Sequence, residues 1–323
     1  RGLGHTGGTV DKLESFAGFR GNLSSREFMQ QITEIGMAIS GQSADLDPAD
    51  KILYGLRDVT ATVDSIPLIA ASIMSKKLAT GADILALDVK YGSGALLQDI
   101  AESRKLAQLM VQLAQSAGKK ASALLTSMDQ PLGCAVGNAL EMAEVGEVLQ
   151  GGGSADLRQL SLALAGELLW LAGVETNRGQ ACHTAEKLLD GGEPFHKLQQ
   201  MLAVQGGDSD FNHLPKANLV LPFCADEEGY ITAIDTALVG YASLALGAGR
   251  TKAEEQIDYS AGIVFQHKCG AYLRQGEIIA QIHCQNQQHY QNACVLLKQA
   301  VHFGVAPVVQ PTLIAEIIST EKK

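Results

Sequence analysis

Four glycines, two threonines and a histidine are crowded into the opening run Arg1-Gly2-Leu3-Gly4-His5-Thr6-Gly7-Gly8-Thr9. Glycine accepts the positive φ angles of a backbone nest, so such a run can turn its N–H groups toward an anion. Further along stand Arg57-Asp58, then Ser72 and Lys76 four residues apart. A cation cluster with a nearby hydroxyl can grip a planar ring that carries oxygens. Together these residues point to chemistry on phosphate and a polar heterocycle. Each alone also has a plain structural reading. Thr6 or Thr9 could equally cap a helix beginning near Asp11 and Leu13. Arg57-Asp58 could be a local ion pair, and a lone Lys76 a solvated helix face. The apolar neighbours Ile69 and Ile73 turn the Ser72 side inward, where a lysine needs a partner.

Other chemistries are poorly supported. The opening run lacks the Gly-Lys-Ser/Thr ending of a P-loop, and no strand precedes it as a dinucleotide fingerprint requires. His5 could serve as a general acid or base, but the eight histidines show no metal-ligand spacing. Six cysteines without CxxC spacing read as free thiols of a reducing cytosol. A net charge of −10 argues against a nucleic-acid groove. The longest apolar run, Leu160 to Val174, carries Glu167 and is too short to span a bilayer.

The elements that must position these residues alternate in type. Asp64-Ser65-Ile66-Pro67 starts a helix running to about Leu78, which puts Ser72 and Lys76 on one face. Ile84 to Val89 and Lys120 to Thr126 read as buried strands, with helices from Leu96 to Ala117 and Val136 to Leu149. Gly92-Ser93-Gly94 falls at the end of the first strand, where open α/β sheets place ligands, or is simply a tight turn. Strand alternating with helix predicts an α/β fold with a mostly parallel sheet and flanking helices. Ala155 to Ala172 and Gly179 to Leu189 read as packed helices. Beyond Leu214-Pro215 the texture changes to short strands. There the segment Gly270 to Ile282 resembles the hairpin of a lipoyl-like half-barrel, without the lysine such a domain modifies.

Taken in order, the motifs resemble the thymidine and pyrimidine-nucleoside phosphorylase family along essentially the whole chain. Gly2-Leu3-Gly4-His5-Thr6-Gly7-Gly8-Thr9 with Asp11-Lys12-Leu13-Glu14 is similar to the family's signature segment. Arg57 to Ile69 with Ala71-Ser72-Ile73 and Lys76-Lys77 is similar to its pyrimidine-binding segment. Asp88-Val89-Lys90, Met128 to Glu141, and Leu246-Gly247-Ala248-Gly249-Arg250 match later blocks.

The resemblance implies reversible phosphorolysis of thymidine, uridine or deoxyuridine to free base and (deoxy)ribose 1-phosphate, with inorganic phosphate as co-substrate and no organic cofactor. It implies that Arg57 and Lys76 are catalytic, and that Tyr54, Arg57, Ser72 and Lys76 bind the base between apolar walls at Leu3 and Ile73. Thr9 would supply a phosphate-site hydroxyl. Leu132, Ala135 and Glu144 keep the spacing of a structural potassium or calcium site. The implied domains are α/β at 1–40 and 81–215, a small all-helical domain carrying the base site at 41–80, and a C-terminal α+β domain at 216–323. A hinge closure would bring base and phosphate together. The partners implied are nucleoside and phosphate, with no nucleic acid and no membrane, in a cytoplasmic homodimer. The family's Lys-His-Ser-Thr-Gly-Gly phosphate loop and its catalytic histidine, which precede this region, do not occur in the sequence, so this chain alone is expected to turn over slowly. The alternatives are a non-catalytic pyrimidine-binding remnant and a related phosphoribosyltransferase, whose diphosphate-and-magnesium motif is absent.

Overall fold

The computed structural model describes residues 7–41, 49–50, 53, 56–57, 60, 62, 64–250, 255–309 and 312–321. The chain divides into two compact units, Arg1–Gly41 with Asp129–Leu157 and Leu189–Pro311, and Gln42–Met128 with Arg158–Leu188 and Thr312–Lys323.

The second unit is built on a three-stranded sheet. β1 (Ile84–Tyr91) and β2 (Lys120–Ser127) run parallel, with Leu85 opposite Ala121 and Val89 opposite Leu125. β10 (Ile314–Ser319) joins the far side of β2 antiparallel. The sheet is therefore mixed, and among the described residues β1–β2 is its parallel pair, a correction to the mostly parallel sheet expected. Leu85, Leu87 and Val89 meet Ile69, Ala70 and Met74 of α3 (Ile66–Ala79) and Leu106, Met110 and Val111 of α4 (Ile100–Ser116). α4 begins at Ile100 rather than Leu96 because the Asp99 carboxylate accepts from the Ala101 and Glu102 N–H groups and fixes the N-terminus there. Residues 158–188 carry most of α6 (Ala155–Leu171) and α7 (Arg178–Gly191). These pack closely where Gly166 meets Cys182, and Arg178 stacks 3.7 Å over Trp170 while pairing with the buried Glu167.

In the first unit α1 (Thr9–Leu13), α2 (Ser25–Ile35), α5 (Asn138–Leu149) and α8 (Glu193–Val204) are gathered around Leu13, Phe16, Phe19, Met142, Met201 and Leu202. α2 opens with a capping box in which Ser24 and Glu27 bond each other's backbone N–H. Gln205 is fully buried beside it. Its amide accepts from Gln31 Nε2 and the Ile39 N–H, and donates to the Arg20 and Ile39 carbonyls. Gln205→Leu strands the Ile39 N–H and the Arg20 and Ile39 carbonyls, leaves Gln31 Nε2 with the Met37 carbonyl alone, and is expected to cost roughly 3 kcal/mol or more in a denaturation titration. A loss under about 1 kcal/mol means that water replaces them.

The remaining strands form two antiparallel sheets. One is ordered β3 (Ala135–Val136), β6 (Gly262–Phe265), β8 (Ile278–Cys284), β4 (Leu219–Cys224), and the other β7 (Tyr272–Leu273), β5 (Gly229–Ile234), β9 (Val301–Gly304). α9 (Thr236–Ala245) and α10 (Gln287–Ala300) pack with them over Ile231, Ile263, Leu273 and Ile282. The expected hairpin at 270–282 is corrected. The turn at Gly276 exists, at φ +88°, but β7 pairs with β5 while β8 pairs with β4 and β6. Partners distant in sequence thus override the local turn. Among the described residues no helix is long and apolar enough to cross a membrane.

Candidate active site

Positions 49–50, 53 and 56–57 are helical, and Asp50, Leu53 and Arg57 line one cavity. The next described helix, α3, takes its start from Pro67 in the first turn and from the Ser65 carbonyl, which accepts the Ile69 N–H. Ser65 stands at the cap as expected, but its side chain makes no capping bond. Ser72 and Lys76 do share a face. Lys76 Nζ donates to Ser72 Oγ at 3.0 Å and pairs with Asp50 Oδ2 at 2.6 Å.

A cavity of about 350 Å³ opens beside these groups, lined by polar Asp50, Arg57 and Ser72 and by apolar Leu53, Leu56 and Leu68 among others. Arg57 and Ser72 are each only 8% exposed, and Asp50 7%. Arg57 lines this small cavity among apolar walls, and Lys76, bonded to the lining groups Ser72 and Asp50, stands beside it. Such a place suits a planar heterocycle that carries or acquires negative charge, since charge is felt more strongly where water is excluded. Ile73 packs partly buried against the β1–α4 core and is not part of the cavity lining. Tyr54 and Leu3 lie outside the described residues, as do His5, Thr6 and Asp58. Asp50 is the site residue the sequence reading missed. Its signal was the seven-residue spacing to Arg57.

Thr9 is the first residue of α1, and the N-cap is Gly8. The threonine is therefore not the cap, and its hydroxyl stands exposed. At the C-terminal ends of β1 and β2, Asp88 is held between Lys90 Nζ, at 2.8 Å, and the Thr126 hydroxyl. The Gly92-Ser93-Gly94 turn folds back so that Gly94 N–H reaches the Met128 carbonyl, with Gly92 at φ +103°. That geometry is a tight turn in its own right.

The segment 131–135 is gripped from two sides. Glu144 Oε1 accepts from Cys134 N–H at 2.7 Å and Oε2 from Ala135 N–H at 3.1 Å. Lys268 Nζ donates to the Pro131 and Gly133 carbonyls and to Asp156. Gly133, at φ +72°, has no room for a side chain, because a Cβ there would lie 2.5 Å from Glu144 Oε2. Leu132 and Ala135 belong to this same segment, so their backbone and the Glu144 carboxylate are brought together. One carboxylate plus carbonyls is an oxygen donor set, suited to a hard cation rather than a transition metal. No described cluster of three or more His, Cys, Asp or Glu side chains could hold a metal. Five of the six thiols are disfavoured as nucleophiles. Burial pushes Cys134, Cys182, Cys269, Cys284 and Cys294 above the usual thiol range.

Known proteins resemble this chain throughout. Residues 1–195 match the a/b domain of a glycosyl transferase family, and residues 230–304 match the pyrimidine nucleoside phosphorylase C-terminal domain. The pyrimidine-nucleoside phosphorylase of Geobacillus stearothermophilus is 42% identical over 323 residues, covering 99% of this chain and 74% of that protein. Its counterpart in Staphylococcus epidermidis is 44% identical over 292 residues, covering 89% and 67%. That of Staphylococcus aureus strain USA300 is 41% identical over 327 residues, covering 99% and 74%. With identity at this level and both domain matches in the expected order, the chain belongs to the pyrimidine-nucleoside phosphorylase family.

Proposed function

We propose that the protein catalyses reversible phosphorolysis of pyrimidine nucleosides, among them thymidine, uridine and deoxyuridine, giving free base and (deoxy)ribose 1-phosphate. The observation that carries the residue assignment is the buried Arg57–Ser72 cavity with Lys76 bonded to Ser72 and Asp50. In phosphorolysis a phosphate oxygen bonds to the anomeric carbon as the bond to the base nitrogen breaks. The electron pair leaves with the pyrimidine and spreads onto its ring oxygens. Arg57, Lys76 and the Ser72 hydroxyl meet that developing charge, so they bind the transition state more tightly than the neutral base. Asp50 holds the Lys76 ammonium in place without cancelling both cations. Thr9 donates its exposed hydroxyl to phosphate.

Tyr54 completes the base pocket and Leu3 forms an apolar wall on the strength of the family resemblance, while Leu53, Leu56 and Leu68 take the place expected of Ile73. The same resemblance supports a small helical domain at 41–80, α/β segments at 1–40 and 81–215, a C-terminal α+β domain from 216, and a cytoplasmic homodimer. A potassium or calcium ion would be held by the Leu132 and Ala135 carbonyls with Glu144. Its part would be to offset the Glu144 carboxylate and tie it to the carbonyls of the 131–135 segment.

The test is phosphate-dependent release of uracil and thymine from uridine, thymidine and deoxyuridine by the full-length protein. Release that needs phosphate and yields pentose 1-phosphate supports the reading, and the substrate ranking sets its breadth. No release from properly folded protein leaves a pyrimidine-binding remnant. No release from the nucleosides, with release of base from the nucleoside 5′-monophosphate that needs diphosphate and magnesium, makes it a phosphoribosyltransferase.

A further inference from the structure

The run Leu246-Gly247-Ala248-Gly249-Arg250 has no part in the chemistry above, yet it is tied to the helix that begins at Thr9. Arg250 Nη1 lies 3.3 Å from Asp11 Oδ1, a carboxylate only 5% exposed, while Arg250 Nε donates to the Glu255 carbonyl. Neighbouring bonds fasten the same stretch. Asn138 Nδ2 donates to the Ala248 carbonyl at 2.7 Å, Ala139 N–H to the Tyr259 carbonyl, and Tyr259 OH to Glu14 Oε2. Burial and the Glu14 charge push the Tyr259 phenol above its usual range, which keeps it a donor.

α1 cannot set its own direction. It is five residues long, too short to persist alone, and its Gly8 cap supplies no side-chain bond. Val10 and Leu13 bury one side of it. Lys12 pairs with Glu141 at 2.5 Å, and Asp11 with Arg250. Two ion pairs therefore fix the rotation of a helix whose first residue is Thr9.

We propose that Arg250 is a positioning residue for phosphate: through Asp11 it sets the rotation of α1, and with it the direction in which Thr9 presents its hydroxyl. This rests on the reading of Thr9 as a phosphate-site residue. Arginine suits the role because its fork reaches Glu255 and Asp11 at once, which a lysine point charge cannot do in the same geometry.

The test is steady-state phosphorolysis by the full-length enzyme, with phosphate and thymidine varied in turn. Arg250→Met is expected to raise the phosphate KM by roughly fivefold to twentyfold and to leave the thymidine KM within about twofold, with Arg250→Lys between it and wild type. Thr9→Val raises the phosphate KM as well. The double variant is no worse than Thr9→Val alone, because Arg250 acts through Thr9. Equal rises in both KM values, an unchanged phosphate KM, or additive losses in the double variant overturn the role of Arg250. A Thr9→Val enzyme with wild-type phosphate KM overturns the Thr9 reading itself, whatever Arg250 does. Should Arg250→Met not fold, Asp11→Asn/Arg250→Met leaves no charge buried alone. A wild-type phosphate KM in that variant overturns the proposal.

Discussion

Lys76→Ala is expected to lower kcat/KM for thymidine and uridine by about two orders of magnitude or more, and Arg57→Ala to do the same. A hundredfold loss corresponds to about 2.7 kcal/mol of transition-state stabilisation, the size found for removing one well-aimed donor. For Lys76 the loss has two parts. The ammonium proposed to meet the departing base is gone, and Asp50, 7% exposed, loses that cation beside the cavity. A carboxylate so placed repels the charge that the reaction develops. Asp50→Asn combined with Lys76→Ala should therefore be less impaired than Lys76→Ala alone. Rates within a few-fold of wild type in the single variants would remove Arg57 and Lys76 from the mechanism.

Glu144→Ala is expected to lower stability and to report on cation binding at once. Two backbone N–H groups, Cys134 and Ala135, lose their acceptor in a segment that is largely buried. Stranded donors cost about 1–3 kcal/mol each, so the sum is roughly 2–4 kcal/mol with partial rescue by water. At about 2–4 °C per kcal/mol, melting falls by several degrees. Elemental analysis separates this from cation binding. If the wild-type protein carries potassium or calcium and the variant does not, the site at Leu132, Ala135 and Glu144 holds it. If neither carries a cation, the ion assignment is lost, and the melting change belongs to the two hydrogen bonds. Base binding, which we propose draws on Arg57, Ser72 and Lys76, should be unaffected.

The legible parts of the molecule were those whose partners are close in sequence. Ser72 and Lys76 are one helical turn apart, and the spacing alone placed them together. The strands Ile84–Tyr91 and Lys120–Ser127 are short buried runs bounded by turn residues. The capping box at Ser24 and Glu27 was legible by the same local rule and went unread. What could not be read depends on chain brought in from afar. Lys268 closes on carbonyls of Pro131 and Gly133 from well over a hundred residues away, and Arg250 reaches Asp11 from farther still. No local pattern announces either. The turn at Gly276 shows the converse error. Its chemistry is that of a hairpin, but its flanking strands find better partners in two different sheets.

The antiparallel seat of β10 beside β2 bears on how the protein is made. The strand Lys120–Ser127 leaves the ribosome about 190 residues before the segment that covers its free edge. At translation speeds of about 5–20 residues per second, that edge waits roughly 10 to 40 s. During the wait a row of unpaired amides on an apolar strand is open to any other extended chain. Fast synthesis or a chaperone that occupies the edge should raise the yield of native protein, and crowded overexpression should send it into inclusion bodies.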